Sequence, residues 1–220
     1  MGALKNEHCS LREEEMKKLM LGLTLAAMAS AAHADDGSSV RFYAGIGISH
    51  GGDSLGSGEI VPLNGASGPT IPFNIRPGTS AELRLGADYR ISERFHLQAS
   101  AGYADQSPQG VNGSLDFREN PVELMGFFNA WQGLRLGAGY RKSWAEFSGT
   151  GVASNWPGLG RYTSTNGGVL EIQYLFSEDG KYTSQHGLGG FSLRYVNESL
   201  HHDDFTINER HYEFGGVFYY

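Results

Sequence analysis

His211-Tyr-Glu-Phe-Gly-Gly-Val-Phe-Tyr-Tyr220 is the run whose spacing decides the fold. Tyr212, Phe214, Gly216, Phe218 and Tyr220 alternate with His211, Glu213, Gly215, Val217 and Tyr219. A period of two sends successive side chains to opposite faces of a strand, whereas a helix returns to a face every third or fourth residue. The run therefore reads as a strand with one aromatic face and one mixed face that carries a carboxylate.

Seven earlier segments repeat that alternation. Val40 to Ser49 sets Phe42, Ala44, Ile46 and Ile48 against Arg41, Tyr43, Gly45 and Gly47. Ala81 to Ile91 sets Leu83, Leu85, Ala87 and Tyr89 against Glu82, Arg84, Asp88 and Arg90. After the short link Ser92-Glu93-Arg94, Phe95, Leu97, Ala99, Ala101 and Tyr103 alternate with His96, Gln98, Ser100 and Gly102, which reads as a hairpin. A less regular segment near Asn120 to Ala130 should have Pro121 close to its start, where a missing N–H does least harm. The tight turn Trp131-Gln132-Gly133 leads into Leu134 to Arg141, and two further segments run through Leu170 to Phe176 and Phe191 to Tyr195. Eight antiparallel strands of nearly equal length predict an all-β, up-and-down transmembrane barrel.

The connections point the same way. Residues 50–79, 104–117, 145–167 and 197–207 are long and polar, whereas 92–94 and 131–133 are tight and 177–186 is intermediate. Short turns on the periplasmic side and longer loops outside are the pattern of a bacterial barrel. A narrow eight-stranded barrel has an interior only just wide enough to be filled by side chains, and the Gly-rich polar faces fit that crowding better than the Phe- and Tyr-bearing faces, so the apolar faces should meet lipid. Phe95 and Tyr103, Tyr140 and Trp144, Phe176 and Tyr195, and Tyr212 and Tyr220 stand near segment ends, where interfacial aromatic girdles belong. The opposite faces collect Glu82, Asp88, Glu123, Glu171 and Glu213 with Arg84, Arg90, Arg135, Arg141 and Arg194. Buried charges are costly unless paired, so these residues are expected to form an ion-pair network that fills the lumen, with a selective ion path as the alternative.

Composition and the N-terminal region set the cellular context. Among 220 residues there are 32 Gly, 11 Tyr and 12 Phe, a bias toward strands and turns, and the net charge of −7 argues against a nucleic-acid partner. Met16 to Ala34 has a basic start, an apolar middle and a small-x-small end at Ala32-His33-Ala34, the layout of a secretory signal peptide. Its apolar part is too short for a spanning helix. Glu13-Glu14-Glu15 places acidic charge where an export signal wants basic charge, so residues 1–15 are set aside as an extension. Residues 1–34 carry four basic and four acidic residues, which leaves the exported region, 35–220, at the same −7. The single cysteine, Cys9, lies in the extension, so the exported region offers no disulfide and no thiolate.

The last strand resembles the C-terminal assembly signal of bacterial outer-membrane barrels, with Glu213, Gly215, Phe218 and Tyr220 in its places and a terminal Tyr instead of the commoner Phe. That resemblance implies recognition by the barrel-assembly machinery. Residues 35–220 as a whole resemble the small porin-like, opacity and OmpA/OmpX-type barrels. The resemblance implies an outer-membrane location among outer-membrane lipids, and roles such as structural support, adhesion to an extracellular ligand through the loops, or passage of small solutes. Fold alone does not choose among them.

Two sites for chemistry weigh less. His201-His202-Asp203-Asp204 has metal-capable side chains, but four adjacent residues do not by themselves converge on one ion, and a solvated loop is the expectation. Some eight-stranded barrels modify lipid A with a Ser/His/acid site, for which Ser192, His186 and Glu171 are the residue types. Their spacing does not bring them together, and the exported region has no His-x-Ser signature. Gly45-x-Gly47 has no following helix to hold a phosphate. The sequence thus predicts a non-enzymatic barrel without catalytic residues, cofactor or metal, acting through surface loops. A narrow solute channel is the alternative, and a lipid A-modifying enzyme ranks third.

Overall fold

A sheet of alternating strands has two raw edges, and in this chain register removes them. The computed structural model describes residues 39–60, 71–110, 113–176, 188–203 and 205–220. In chain order the strands are β1 (Val40–Gly51), β2 (Gly56–Ile60), β3 (Ile71–Ile75), β4 (Ala81–Arg90), β5 (Phe95–Gln106), β6 (Gln109–Gly110), β7 (Gly113–Trp131), β8 (Leu134–Gly149), β9 (Gly160–Ser164), β10 (Gly167–Leu175), β11 (Leu188–Asn197), β12 (Ser199–His202), β13 (Phe205–Asn208) and β14 (His211–Tyr219). A short 3-10 turn spans Gly151–Ala153. Strands β1, β4, β5, β7, β8, β10, β11 and β14 pair antiparallel in that order, and β14 returns to β1 from Tyr43↔Tyr219 to Gly51↔His211. The result is a closed, eight-stranded up-and-down barrel. The signal segment 16–34, Cys9 and the connection 177–186, which includes His186, lie outside the described residues.

The barrel is inside out relative to a soluble protein. On β4, Glu82, Arg84 and Asp88 are buried while Leu83, Leu85 and Tyr89 are exposed. The same parity holds on β10, where Leu170, Ile172 and Tyr174 face outward and Val169, Glu171 and Gln173 face in. Ile48 is 68% exposed and Tyr212 64%, far too open for core residues of a protein in water. From Leu134 to Trp144 the outward face of β8 runs ten steps of ~3.3 Å, which at a tilt of roughly 40° spans about 25 Å of hydrocarbon. The Tyr195 and Tyr212 rings meet at a tilt across the upper end of that belt with centroids 5.1 Å apart. Phe95 and Phe128 meet at its lower end at 5.3 Å. Among the described residues no helix is long and apolar enough to cross a membrane, so the strands make the crossing.

Two sequence expectations change. Pro121 lies in the middle of a 19-residue β7, not near its start. Its missing donor falls where the ladder with β5 is interrupted: pairing stops at Ala101↔Val122 and resumes at Ala104↔Glu119. The second change concerns the outer connections, read as polar loops. β7 and the 16-residue β8 run on past the lipid belt, and β9, β12 and β13 extend β8 sideways into a small outer sheet. Ile75, Leu115, Phe117, Ala145, Phe147, Ala153, Tyr162, Leu200 and Ile207 bury one another there, with Leu55, Phe73, Trp156 and Leu159 packed against them. Residues from all four outer connections thus share one apolar core above the barrel mouth.

Candidate functional site

The lumen is built in layers. At the periplasmic end β4 and β8 bring Asp88 and Arg135 together, with Arg135 Nη1 donating to Asp88 Oδ2 at 2.8 Å. The same nitrogen donates to the Tyr219 hydroxyl at 3.0 Å, and Tyr219 donates to Gln173 Oε1 at 2.9 Å. His96 Nδ1 sits 3.1 Å from Asp88 Oδ1. The Arg135 guanidinium lies 4.5 Å over the Phe127 ring, a cation–π contact inside the barrel. Gly137 makes room for that ring: a Cβ there would stand 2.4 Å from Phe127 Cε1.

The middle layer joins six residues from five strands. Arg84 donates to Glu213 at 2.8 Å, and Arg194 donates to the other oxygen of Glu213 at 2.7 Å. Arg194 also donates to Glu123 at 2.6 Å and lies 3.2 Å from Glu171. Glu82 stands 3.4 Å from Arg84 and 3.6 Å from Arg194. Every carboxylate here touches at least one guanidinium, which is the condition for burying such charges.

Above it Arg141 bridges upward. It reaches Glu82 at 3.2 Å and Glu123 at 2.9 Å below, and Glu119 at 2.7 Å and Glu198 at 3.0 Å above. Ser143 adds a hydrogen bond to Glu198 at 2.9 Å. Glu209 completes this upper layer. It lies in the connection between β13 and β14, outside the membrane-spanning strands, and is fully buried. Burial, and then the Glu119 carboxylate facing it, hold the Glu209 carboxyl well above the usual carboxylate range.

Of the ten charged residues expected in the lumen, Glu82, Arg84, Glu123, Arg141, Glu171, Arg194 and Glu213 share one connected network, and Asp88 with Arg135 forms a lower pair. Arg90 stands apart. It is half-buried at the periplasmic end of β4 beside the turn, and among the described residues no carboxylate is within ion-pair distance of it. Among the described residues the balance of five acids and five bases is replaced by eight buried carboxylates against four buried guanidinium groups, because Glu119, Glu198 and Glu209 join and Arg90 leaves. Glu119 has the same parity as Glu123, so carrying the alternation back across Pro121 would have found it. Glu198 and Glu209 sit in connections, where period two carries no information.

The other candidates are dispersed. Glu171 lies beside Arg194 and accepts from Gln173 at 2.7 Å, while Ser192 is buried in the lumen and turned away from the lipid face. His201 Nδ1 lies 2.9 Å from Thr206 Oγ1, and His202 Nδ1 donates to the Arg161 carbonyl at 2.9 Å. Asp203 occupies the left-handed turn of the β12–β13 hairpin at φ 48, and Asp204 is outside the described residues. In the last strand Glu213 points into the lumen, Phe218 and Tyr220 point outward, and Gly215 lies opposite Gly47 on the β1–β14 seam.

No family model matches the chain, and no curated protein matches it. Among solved structures, it is similar to the attachment invasion locus protein Ail of Yersinia pestis in complex with the heparin analogue sucrose octasulfate, at 14% identity over 82% of this chain and 97% of that one, with a TM-score of 0.45. It is also similar to the outer membrane protein OprG of Pseudomonas aeruginosa, at 12% identity over 83% and 96% of the two chains and a TM-score of 0.43. A third is Neisserial surface protein A, at 12% identity over 82% and 96% and a TM-score of 0.40. On its own geometry, with an apolar exterior flanked by aromatic rings, a charged interior and an even number of antiparallel strands, the chain is an outer-membrane β-barrel protein.

Proposed function

We propose that this protein is a non-enzymatic and non-conducting barrel that works through its folded outer lobe, by contact with ligands outside the cell. The observation that carries this reading is the continuous filling of the interior. Arg84, Arg135, Arg141 and Arg194 are each 1% exposed or less, tied across the lumen in successive layers, and roofed by the apolar cluster around Phe117, Phe147, Tyr162 and Leu200. A solute path would need these layers to part, breaking ion pairs whose partners would then be left desolvated. The deciding experiment is planar-bilayer recording of the pure refolded protein. A flat baseline is expected, and reproducible unit steps of current would overturn the reading in favour of a narrow channel.

The outer surface suits a contact role. Its strands are held by a shared core, so a ligand would meet a preformed platform at little ordering cost. Two readings from the sequence accompany the proposal. Residues 16–34 serve as the export signal. Glu213, Gly215, Phe218 and Tyr220 serve as the assembly signal read by the barrel-assembly machinery, supported by the outward presentation of Phe218 and Tyr220 on the strand that closes the barrel.

A further inference from the structure

The upper layer of the lumen gathers three carboxyl groups around a single shared guanidinium, Arg141. Glu119 on β7, Glu198 between β11 and β12, and Glu209 between β13 and β14 each turn a carboxylate oxygen toward the others, and these oxygens lie within 4.8 Å of one another. All three residues are buried: Glu119 and Glu198 are 2% exposed and Glu209 is 0% exposed. Arg141 is the guanidinium that reaches this layer, and it is already shared among four carboxylates.

The independent sign of a missing partner is at Glu209. No donor group reaches either of its side-chain oxygens, which face the Glu119 carboxyl across a distance a shared proton or a cation could bridge, and Glu198 Oε1 has no donor either. An orphaned, fully buried carboxylate is costly unless something positive stands beside it. Within the described interior eight buried carboxyl groups share four buried guanidinium groups, and the buried imidazoles stand elsewhere: His96 on Asp88, and His211 on the Glu209 backbone carbonyl rather than its carboxyl. The donor set is oxygen only. That chemistry favours a hard divalent ion over zinc or copper, and calcium, with its tolerance of irregular geometry and of long ligand sets, over magnesium.

We infer that Glu119, Glu198 and Glu209 form a calcium-class divalent cation site at the junction of the barrel and its outer lobe. The ion ties together elements that are distant in sequence. The Glu209 N–H donates to the Glu198 carbonyl at 2.9 Å, closing the neck of the β12–β13 hairpin. Glu119 stands on the wall of β7. A cation held between them clamps the hairpin to the barrel rim and fixes the underside of the lobe. The site does not depend on what the lobe binds or on whether the lumen conducts.

The test uses the full exported chain, refolded in detergent without lipopolysaccharide, stripped with EDTA and titrated with calcium chloride. Calorimetry should show one saturable site, the thermal midpoint should rise with calcium, and magnesium should bind more weakly. Glu209→Gln, which keeps shape and removes charge, should weaken calcium binding by at least about tenfold, because affinity in such sites follows ligand charge. Glu146→Gln, at an exposed position of β8 away from the cluster, should keep the affinity of the unaltered protein. If Glu209→Gln does not fold, terbium luminescence on the unaltered protein, displaced by calcium, gives the readout instead. Neither heat nor a thermal shift at millimolar calcium, or terbium emission that calcium does not displace, would overturn the site and leave a proton shared among the three carboxyls as the way the cluster is neutralised. Unchanged calcium affinity in a folded Glu209→Gln would overturn it as well.

Discussion

Arg141 shows how much one side chain carries in this interior. Its guanidinium is 1% exposed and joins the middle and upper layers through Glu82, Glu123, Glu119 and Glu198. A lysine offers one point charge on a flexible stem, whereas the planar guanidinium presents donors in several directions at once. Removing it strands its carboxylates in a low-dielectric space. Arg141→Met should therefore destabilise the barrel by about 3–5 kcal/mol, the usual cost of removing one partner from a buried ion pair. Urea titration in detergent, followed by the mobility difference between unheated and heated samples, would measure it. A loss below about 1 kcal/mol would mean that water or ions replace the arginine readily. Glycine matters at the same scale where strands meet. A Cβ on Gly215 would stand 2.2 Å from the Ile46 carbonyl, so this residue is required by the closure of the barrel whether or not the assembly machinery reads it.

At the scale of elements, the seam between β1 and β14 is the step that turns a sheet into a barrel. It pairs nine residues of each strand and removes the two edges that a transmembrane sheet cannot leave unpaired in lipid. β14 presents Phe214 and Phe218 outward while Glu213 joins Arg84 and Arg194 inside. Its outer face meets lipid while its inner face ties the closing strand into the lumen network. Deleting Tyr220 together with Phe218→Ser should sharply lower the amount of folded barrel recovered in outer-membrane fractions. The same protein should still refold in detergent, because neither change touches the lumen. Normal membrane yield would remove the assembly-signal proposal, and loss of detergent refolding would assign these residues to stability instead. The extended β7 and β8 act as the stem of the outer lobe, since their inward faces continue above Glu119 and Ala145 as the apolar residues Leu115, Phe117 and Phe147.

For the whole molecule, the governing fact is the inversion of polarity. Lipid supplies the apolar solvent that a soluble protein must build from its own core, so the interior can hold a layered charge network, with apolar side chains such as Phe127, Val169 and Val217 packed among the charges. Leu170 is 59% exposed near mid-height of the belt, and its neighbour Glu171 faces the lumen. Leu170→Arg should cost about 2–4 kcal/mol in bilayers, as an arginine does at the lipid midplane of such barrels. Equilibrium unfolding from lipid vesicles would give the value. No loss, or a stabilisation, would contradict a lipid-facing outer surface. Function at this scale divides between a belt that fixes the protein in the membrane, a lumen filled by paired charges, and a lobe that faces outward.

Strand identity, face polarity, the order of long and short connections and the β1–β14 closure were all legible in the sequence. The physical reason is that period-two alternation is local, and a membrane enforces it on every strand with the same sign. The ten charged residues could be assigned to the inner face, but not to partners. Which arginine meets which glutamate depends on strand stagger and on the diameter of the barrel, and Arg90 fell outside the network because height along the barrel axis cannot be read from parity alone. The upper acidic trio and the apolar outer core were hidden for a related reason. Glu198, Glu209, Leu200 and Ile207 lie in stretches that read as loops, and only the folding of the outer connections over the barrel mouth brings them beside Glu119, Phe117 and Phe147. The sequence by itself determined a membrane-spanning barrel with a charged interior. Tertiary structure alone decided how that interior is neutralised and what covers it, because both depend on contacts between residues far apart in the chain.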